Sequence, residues 1–189
     1  MTIQDGINQV EQAQQEIVEA NTMINDAIIH SFIFTWRWWL GIALFIVPWL
    51  IWLKYKKKDS TFRLLLAGIC SILLGQIIDM FALSMGKWSY PIKFIPCSGT
   101  TFLPYHFSML PVGVMFAIQI KPKINPIIKG IVLGLVCAYV MEPFFTKTGF
   151  YNPKNWKYIY DVGIYFLIFN IAHLLTRLKH FDPIESKDQ

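Results

Sequence analysis

The sequence has little cysteine, and the thiols it has are not arranged as pairs. Cys70, Cys97 and Cys137 form no CxxC motif, and Cys70 and Cys137 lie inside apolar segments. This spacing argues against a disulfide framework or a thiol-redox site and favours small packing residues. HxxxH and HExxH patterns are also missing, so we predict neither a metal site nor a cofactor.

The absence of other sequence motifs argues against several classes of function. The chain has no nucleophile motif and no glycine-rich phosphate loop, which argues against an enzyme. It has no internal repeat, which makes a self-sufficient secondary transporter less favoured. Residues 1–30 are polar and acidic, so we expect no cleavable signal peptide.

Apolar sequence is what the chain has in excess. Hydrophobic residues make up 54% of its 189 residues, and they are concentrated in five blocks near the ~20 residues that a membrane-crossing helix needs. The blocks do not alternate as barrel strands do, so we predict an all-α integral membrane protein with a five-transmembrane-helix bundle. The predicted blocks are 32–53, 62–85, 102–120, 124–145 and 156–178. The predicted domains are an extracytoplasmic amphipathic arm over 1–31, the bundle over 32–180, and a cytoplasmic tail over 181–189.

The positive charge predicts orientation, not nucleic-acid binding. The net charge is +5, but the basic residues cluster between apolar blocks, where they set membrane topology. One side carries most of them: Lys54, Lys56, Lys57, Lys58, Arg63, Lys121, Lys123, Lys129, Arg177, Lys179 and Lys187. The other side carries Lys87, Lys93, Lys147, Lys154 and Lys157. The richer side is expected to be cytoplasmic, which places the N-terminus outside and the C-terminus inside.

The N-terminal arm has a regular apolar stripe. Its members follow alternating spacings of four and three, which is a coiled-coil-like heptad seam: Ile3, Ile7, Val10, Gln14, Ile17, Asn21, Ile24 and Ile28. Polar seam positions such as Gln14 and Asn21 fix register and oligomer state in coiled coils. The stripe therefore predicts a homo-oligomer or docking on a membrane-complex partner. The alternative is an amphipathic helix on the membrane surface, but no Lys or Arg precedes Arg37 to attract anionic lipid.

Ionisable residues inside the apolar blocks indicate a functional surface. Asp79, His106, Glu142 and Asp161 come from four different blocks, and all fall near the outer end. Gln76 lies one turn from Asp79, whereas Asp161 is expected to point toward the outer loops. These residues are candidates for binding a substrate or an ion. The alternative is a set of structural ion pairs with loop lysines.

A second tier of polar and small residues accompanies this group. Asn170 and His173 share a face of the fifth block, and His173 is expected to be a hydrogen-bonded core histidine. Gly130, Gly134, Ala138 and Glu142 repeat every four residues, which predicts a ridge that another helix can approach closely. Pro111 is expected to kink the third helix and to free a carbonyl one turn earlier.

The segment 75–166 resembles a family of uncharacterised small multi-pass membrane proteins of spore-forming Bacilli and Clostridia. The resembling stretches are Asp79 with GKWSYP, the LPYH…LP…Q run over 103–119, and MEPFF…GFYN…NWKYIYDVGIY. The resemblance implies a bacterial cell membrane and a sporulation or germination context. It implies no activity and assigns no residue.

Three functions remain open from the sequence. The favoured one is a non-catalytic multi-pass subunit that associates through its N-terminal helix and carries an outward-facing polar site. The second is transport of a cation, a proton or a small solute by means of Asp79 and Glu142. The third is an enzyme acting on lipid headgroups, with the outer carboxylates and His106 as acid and base.

Overall fold

The structure is a computed structural model that describes residues 1–96, 98 and 101–178. The predicted tail over 181–189 lies outside the described residues, as do Cys97, Lys179 and Lys187. The described chain is helical apart from its loops and one antiparallel two-stranded ribbon, in which Trp88 pairs with Pro153. The helices are α1 (Ile3–Ala27), α2 (Trp36–Tyr55), α3 (Thr61–Ser84), α4 (Leu110–Gln119), α5 (Pro126–Val136), α6 (Glu142–Thr148) and α7 (Tyr158–Leu175). Three π-helical segments (Ile28–Phe32, Tyr105–Met109, Cys137–Met141), a 3₁₀ turn (Lys58–Ser60), β1 (Trp88–Ser89) and β2 (Asn152–Pro153) complete the fold.

Four helices of the described chain are long and apolar enough to cross a membrane. They cover Trp36–Tyr55, Lys58–Ser84, Pro126–Thr148 and Tyr158–Leu175, which correspond to four of the five predicted blocks. The predicted helical fold is thus confirmed, with four helices that could cross a membrane. The remaining block folds as the segment Tyr105–Met109 continued by α4. At 1.5 Å per residue this helix is roughly 23 Å long, shorter than a bilayer core of about 30 Å.

The helices share two ends, which we call the basic end and the carboxylate end. At the basic end, around Lys54–Arg63, Gln119 Nε2 donates to the Tyr55 carbonyl at 3.2 Å, and Arg63 donates to the Thr176 carbonyl at 3.1 Å. Asp79, Glu142 and Asp161 lie at the carboxylate end, beside the ribbon. Since α4 carries Gln119 to the basic end, the short helix extends between the same two ends as its neighbours.

Proline at position 111 is accommodated by a tryptophan on another helix. Pro111 has no N–H to donate to the carbonyl of Phe107, one turn earlier. Trp49 of α2 supplies a donor instead, with its Nε1 at 2.8 Å from the Phe107 oxygen. This contact joins α2 to the irregular segment that carries His106.

Small residues on α5 let α7 approach closely, as the ridge predicts. A Cβ added at Gly134 would lie 2.7 Å from the Val162 carbonyl oxygen, and one at Gly130 would lie 2.6 Å from Asn170 Nδ2. Ala138 is fully buried. The close packing fixes the position of Glu142, one turn beyond Ala138, relative to α7.

The arm is a continuous helix with no buried residue. α1 begins with a capping box, in which Thr2 and Asp5 exchange side-chain to backbone hydrogen bonds. The apolar stripe is exposed through most of its length, and Ile3 is 87% exposed. Ile28 differs from the predicted seam, because it is fully buried in the π-helical turn that follows α1. The available stripe therefore ends at Ile24.

Candidate functional site at the carboxylate end

Four ionisable side chains line one cavity of about 50 Å³. Asp79, His106, Glu142 and Asp161 are only 3%, 1%, 7% and 5% exposed, respectively. They come from α3, the segment before α4, the start of α6 and the first turn of α7. The volume suits one or two water molecules or a small cation.

Asp79 accepts two hydrogen bonds and makes one contact with a histidine. Trp88 Nε1 and the Tyr90 hydroxyl each donate to its Oδ1 at 2.8 Å. His106 Nε2 lies 3.2 Å from the other oxygen, Oδ2. Buried carboxylates need such partners, and two of these three belong to the loop that follows α3. Asp79 therefore links the cavity wall to the loop above it.

His106 occupies an irregular turn of its helix. Its Nδ1 lies 3.1 Å from the Phe102 carbonyl oxygen, while its Nε2 faces Asp79. Both ring nitrogens thus face acceptor oxygens, and the tautomer decides which of the two nitrogens donates. The π-helical segment Tyr105–Met109 sets this orientation, and a second one, Cys137–Met141, directly precedes Glu142. Such segments occur often at functional sites.

Glu142 is only half satisfied. Its Oε1 accepts a hydrogen bond from the Tyr165 hydroxyl at 3.2 Å, and Tyr105 donates to that hydroxyl at 2.8 Å. No donor group of the described residues reaches its buried Oε2. A buried carboxylate oxygen without a donor calls for a proton or a cation.

Asp161 completes the cavity beside Glu142. Trp156 Nε1 donates to its Oδ2 at 2.8 Å, and its carboxyl group lines the same cavity as that of Glu142. Two buried carboxyl groups that share one site disfavour each other's charge, so the pair is expected to hold one proton. Asp161 thus serves the outer loop through Trp156, as the sequence indicates, but it also faces the cavity.

An aromatic roof of Trp88, Tyr90, Tyr151 and Trp156 covers the site. Trp88 packs edge-to-face on Trp156, with ring centroids 5.1 Å apart. Trp88 and Tyr151 are buried in the protein. The ribbon β1–β2 joins the two loops that carry these rings.

Burial perturbs the pKa of Tyr90, in the roof, and that of Lys93, in the same loop. Burial raises the pKa of the Tyr90 hydroxyl well above its usual range, and the nearby Asp79 carboxylate adds to the effect, so Tyr90 remains a donor. Burial also lowers the pKa of Lys93 to about 8, against the opposing attraction of Asp79. The Lys93 ammonium donates to the Thr101 carbonyl at 3.3 Å. Both groups are coupled to Asp79, not to Glu142.

The remaining predicted polar residues lie away from the cavity. Gln76 is half-buried and does not line it, whereas Gly75, a full turn before Asp79, does. Asn170 donates to the Phe166 carbonyl at 2.8 Å and packs on Gly130. His173 stacks on the Phe169 ring, with centroids 5.9 Å apart, at the inner part of α7.

Sequence reasoning missed the two tyrosines that reach Glu142. Tyr105 directly precedes His106, and Tyr165 lies four residues after Asp161 on the same helix face. Helical spacing could have identified Tyr165. Tyr105 could not be found in this way, since the π-helical turn changes its direction.

The charges around the cavity do not balance. Asp79 faces His106 and lies near Lys93, and it forms the one ion pair found among the described residues. No His, Lys or Arg of that set is paired with Glu142 or Asp161. No set of three or more metal-binding side chains occurs in the described ranges. The Glu142–Asp161 pair therefore carries uncompensated negative charge when a single proton is shared.

No family model, no curated protein and no solved structure matches this chain. The function of the site is therefore argued from its own geometry.

Proposed function

We propose that this protein is a non-catalytic, multi-pass membrane subunit that binds a small cation at its carboxylate end and self-associates through its N-terminal helix. The observation that carries the proposal is the Glu142–Asp161 pair, buried at a cavity with one oxygen unsatisfied. A proton shared between the two groups leaves one negative charge. A cation in the cavity would compensate that charge without an added protein group.

The division of partners between the acids supports this assignment. Asp79 accepts hydrogen bonds from Trp88 and Tyr90 on one oxygen, and its other oxygen, which has no hydrogen-bond donor among the described residues, faces His106, so Asp79 connects the wall to the roof. Glu142 accepts one hydrogen bond, from the Tyr165 hydroxyl, and no donor in the described part of the chain contacts its second oxygen. We therefore assign ligand binding to Glu142 and Asp161, and positioning to Asp79 and His106.

We further propose five membrane crossings, with the N-terminus outside and the C-terminus in the cytoplasm of a bacterial cell. The fifth crossing is the short helix that ends in α4. Its support is the contact of Gln119 with Tyr55 and a Lys129 ammonium that donates to the Ile120 carbonyl at 2.6 Å. Lysine-rich segments at that end favour the cytoplasmic side.

The cation site is tested by binding of radiolabelled methylammonium to the purified protein. We expect saturable binding that Glu142→Gln and Asp161→Asn each reduce at least tenfold. Glu11→Gln, the same change on the exposed arm, serves as the control and should bind like the wild type. Equal binding by all four proteins would overturn the assignment.

The arm is assigned to a second copy of this chain. α1 buries none of its residues against the bundle, and its stripe places Gln14 and Asn21 at seam positions. Lipid alone would not select polar residues in the seam, whereas a coiled coil uses them to fix register. We expect Ile7→Asp to reduce the mass of the detergent-solubilised oligomer, as measured by light scattering. Met23→Asp, which lies off the stripe, should leave that mass unchanged.

Loss of residues 1–24 should have the same effect, because this deletion retains the buried Ile28. An oligomer of unchanged mass after the deletion would contradict the self-association proposal. The cation assay on the same truncated protein separates the two functions.

Transport of a proton or cation is the second candidate, favoured by the presence of two buried carboxyl groups, Glu142 and Asp161, at one cavity. Below the site, however, the described core is apolar, with Leu110, Met115 and Phe169 all buried. Binding needs no opening of that core, whereas transport does. Acidification of the lumen in proteoliposomes, lost in Glu142→Gln, would favour transport. The lipid-headgroup enzyme has no comparable support, since the cavity contains no activated nucleophile among its lining residues.

A further inference from the structure

A second cavity of about 340 Å³ lies next to the site, deeper in the bundle. Its walls come from α2, α4 and α5, and they are almost entirely apolar. The volume falls within the range of about 300–1,000 Å³ that ligand pockets occupy. Residues that define the groove include Pro48, Ile51, Leu110, Gly113, Leu133 and Val136.

This apolar groove adjoins the carboxylate site. Tyr105, Phe145 and Tyr165 line both cavities. The two tyrosine hydroxyls, 2.8 Å apart, form the polar end of the groove and lead to Glu142 Oε1. An apolar chamber thus lies beside an acidic one, and these three side chains form the wall between them.

The outer edges of the groove face the side of the bundle. Ile51 and Val136 line it and are each 45% exposed on helices long enough to cross a membrane. An opening on this side gives access from the bilayer, not from water. The accessible occupant is therefore a molecule that already lies in the lipid.

We propose that the groove holds the hydrocarbon chain of a membrane amphiphile whose ammonium headgroup reaches Glu142 and Asp161. The inference rests on the proposed cation site and names its ligand class. Hydrocarbon matches the apolar walls, and positive charge matches the acid pair at their end.

Charge complementarity selects the headgroup. An anionic head, such as a carboxylate or phosphate, would meet Glu142 and Asp161 as like charges. The nearest basic groups, His106 and Lys93, already interact with Asp79. An uncharged head would leave the acid pair uncompensated. Of the three classes, the ammonium amphiphile is thus the one whose chain matches the apolar groove and whose charge matches the acid pair.

Gly113 offers a direct test, because a Cβ there meets no atom within 4 Å. Gly113→Leu should occupy the groove without a clash in the backbone. Gly163→Leu is the matched control, since Gly163 also has open space around it but does not line the groove. The probe is a long-chain alkylammonium with a diazirine on its chain, added to the protein in detergent. Sites of photolabelling are located by mass spectrometry.

The expected result is saturable labelling of groove residues, suppressed at least fivefold by unlabelled alkylammonium and by Gly113→Leu, but not by Gly163→Leu. An alkyl alcohol carrying the same diazirine chain should label the groove less, and Glu142→Gln should reduce labelling by the ammonium probe to the level of the alcohol. Labelling spread evenly over the lipid-facing helices, or unchanged in Gly113→Leu, would overturn the proposal.

The two proposals fail differently. If methylammonium binding still depends on Glu142 while groove labelling is absent, the groove assignment is wrong and the cation site stands. If Glu142→Gln changes neither assay, the cation site is wrong, and the headgroup assignment fails with it.

Discussion

Asp79 and Glu142 should respond in opposite ways to the loss of charge, although they line the same cavity. Asp79→Leu removes the acceptor of two buried donors, Trp88 Nε1 and the Tyr90 hydroxyl. Each orphaned donor costs about 1–3 kcal/mol, so the variant should lose about 2–6 kcal/mol of unfolding free energy. Asp79→Asn keeps an oxygen for both donors and should lose less, mainly through the missing attraction to His106.

Glu142→Gln should lose little stability. Glu142 Oε2 has no donor partner among the described residues, and a Gln amide can donate to Asp161 in place of the shared proton. The expected order of stability is therefore Glu142→Gln, then Asp79→Asn, then Asp79→Leu. Methylammonium binding should follow a different order, with Glu142→Gln the most affected.

The order of stability is measured by reversible unfolding of the detergent-solubilised protein, followed by tryptophan fluorescence and circular dichroism. The Asn variant is the matched control for the Leu variant, because it changes charge with almost no change in shape. If Asp79→Leu were as stable as Asp79→Asn, the hydrogen bonds of the roof would not be holding the loop. If Glu142→Gln were the least stable, the assignment of roles to the two acids would be reversed.

Three further predictions concern the packing and charge of the fold. Trp49→Phe should lower the free energy of unfolding by about 0.5–1.5 kcal/mol, because it removes the donor to the Phe107 carbonyl. Denaturant unfolding should show a smaller loss when the same change is made in Pro111→Ala, since an alanine at that position has an N–H for that carbonyl. An equal loss in both backgrounds would contradict the role of Pro111. Gly134→Val should destabilise the α5–α7 contact by about 1–3 kcal/mol, because its Cβ would meet the Val162 carbonyl at 2.7 Å, while Gly163→Ala should be neutral. Because burial lowers the pKa of Lys93 from 10.5 to about 8, the folded state releases its proton first, so stability should rise between those pH values. In Lys93→Met, the thermal midpoint should no longer show the rise that deprotonation of Lys93 produces. A pH profile of the thermal midpoint identical to that of the wild type would contradict this prediction.

Sequence patterns predicted much of the architecture because membrane insertion is encoded locally. Four of the blocks found by hydrophobicity are helices of spanning length, since lipid requires internal backbone hydrogen bonding. The glycine ridge was readable because its spacing of four places small residues on one helix face. The length of the third helix was not readable, because apolar loop residues before Tyr105 extend the block beyond the helix.

The ionisable residues were also recognisable singly, because a charge inside an apolar run is rare. Their division into two pairs was not. Whether Asp79 met His106 or Glu142 depended on helix rotation, and the π-helical segments before α4 and α6 shift that rotation. The partners from the roof, Trp88 and Trp156, depended on a ribbon that joins two distant loops.

By itself, the sequence determined a helical protein with apolar helices of spanning length, an amphipathic arm and a layer of ionisable residues near one end. These properties follow from composition and period, which act within single helices. Only the tertiary structure decided that Asp79 faces a histidine while Glu142 faces no basic group of the described residues, and that an apolar groove adjoins the cavity of the acid pair. Those properties depend on which side chains from different helices meet, and helix packing alone fixes that.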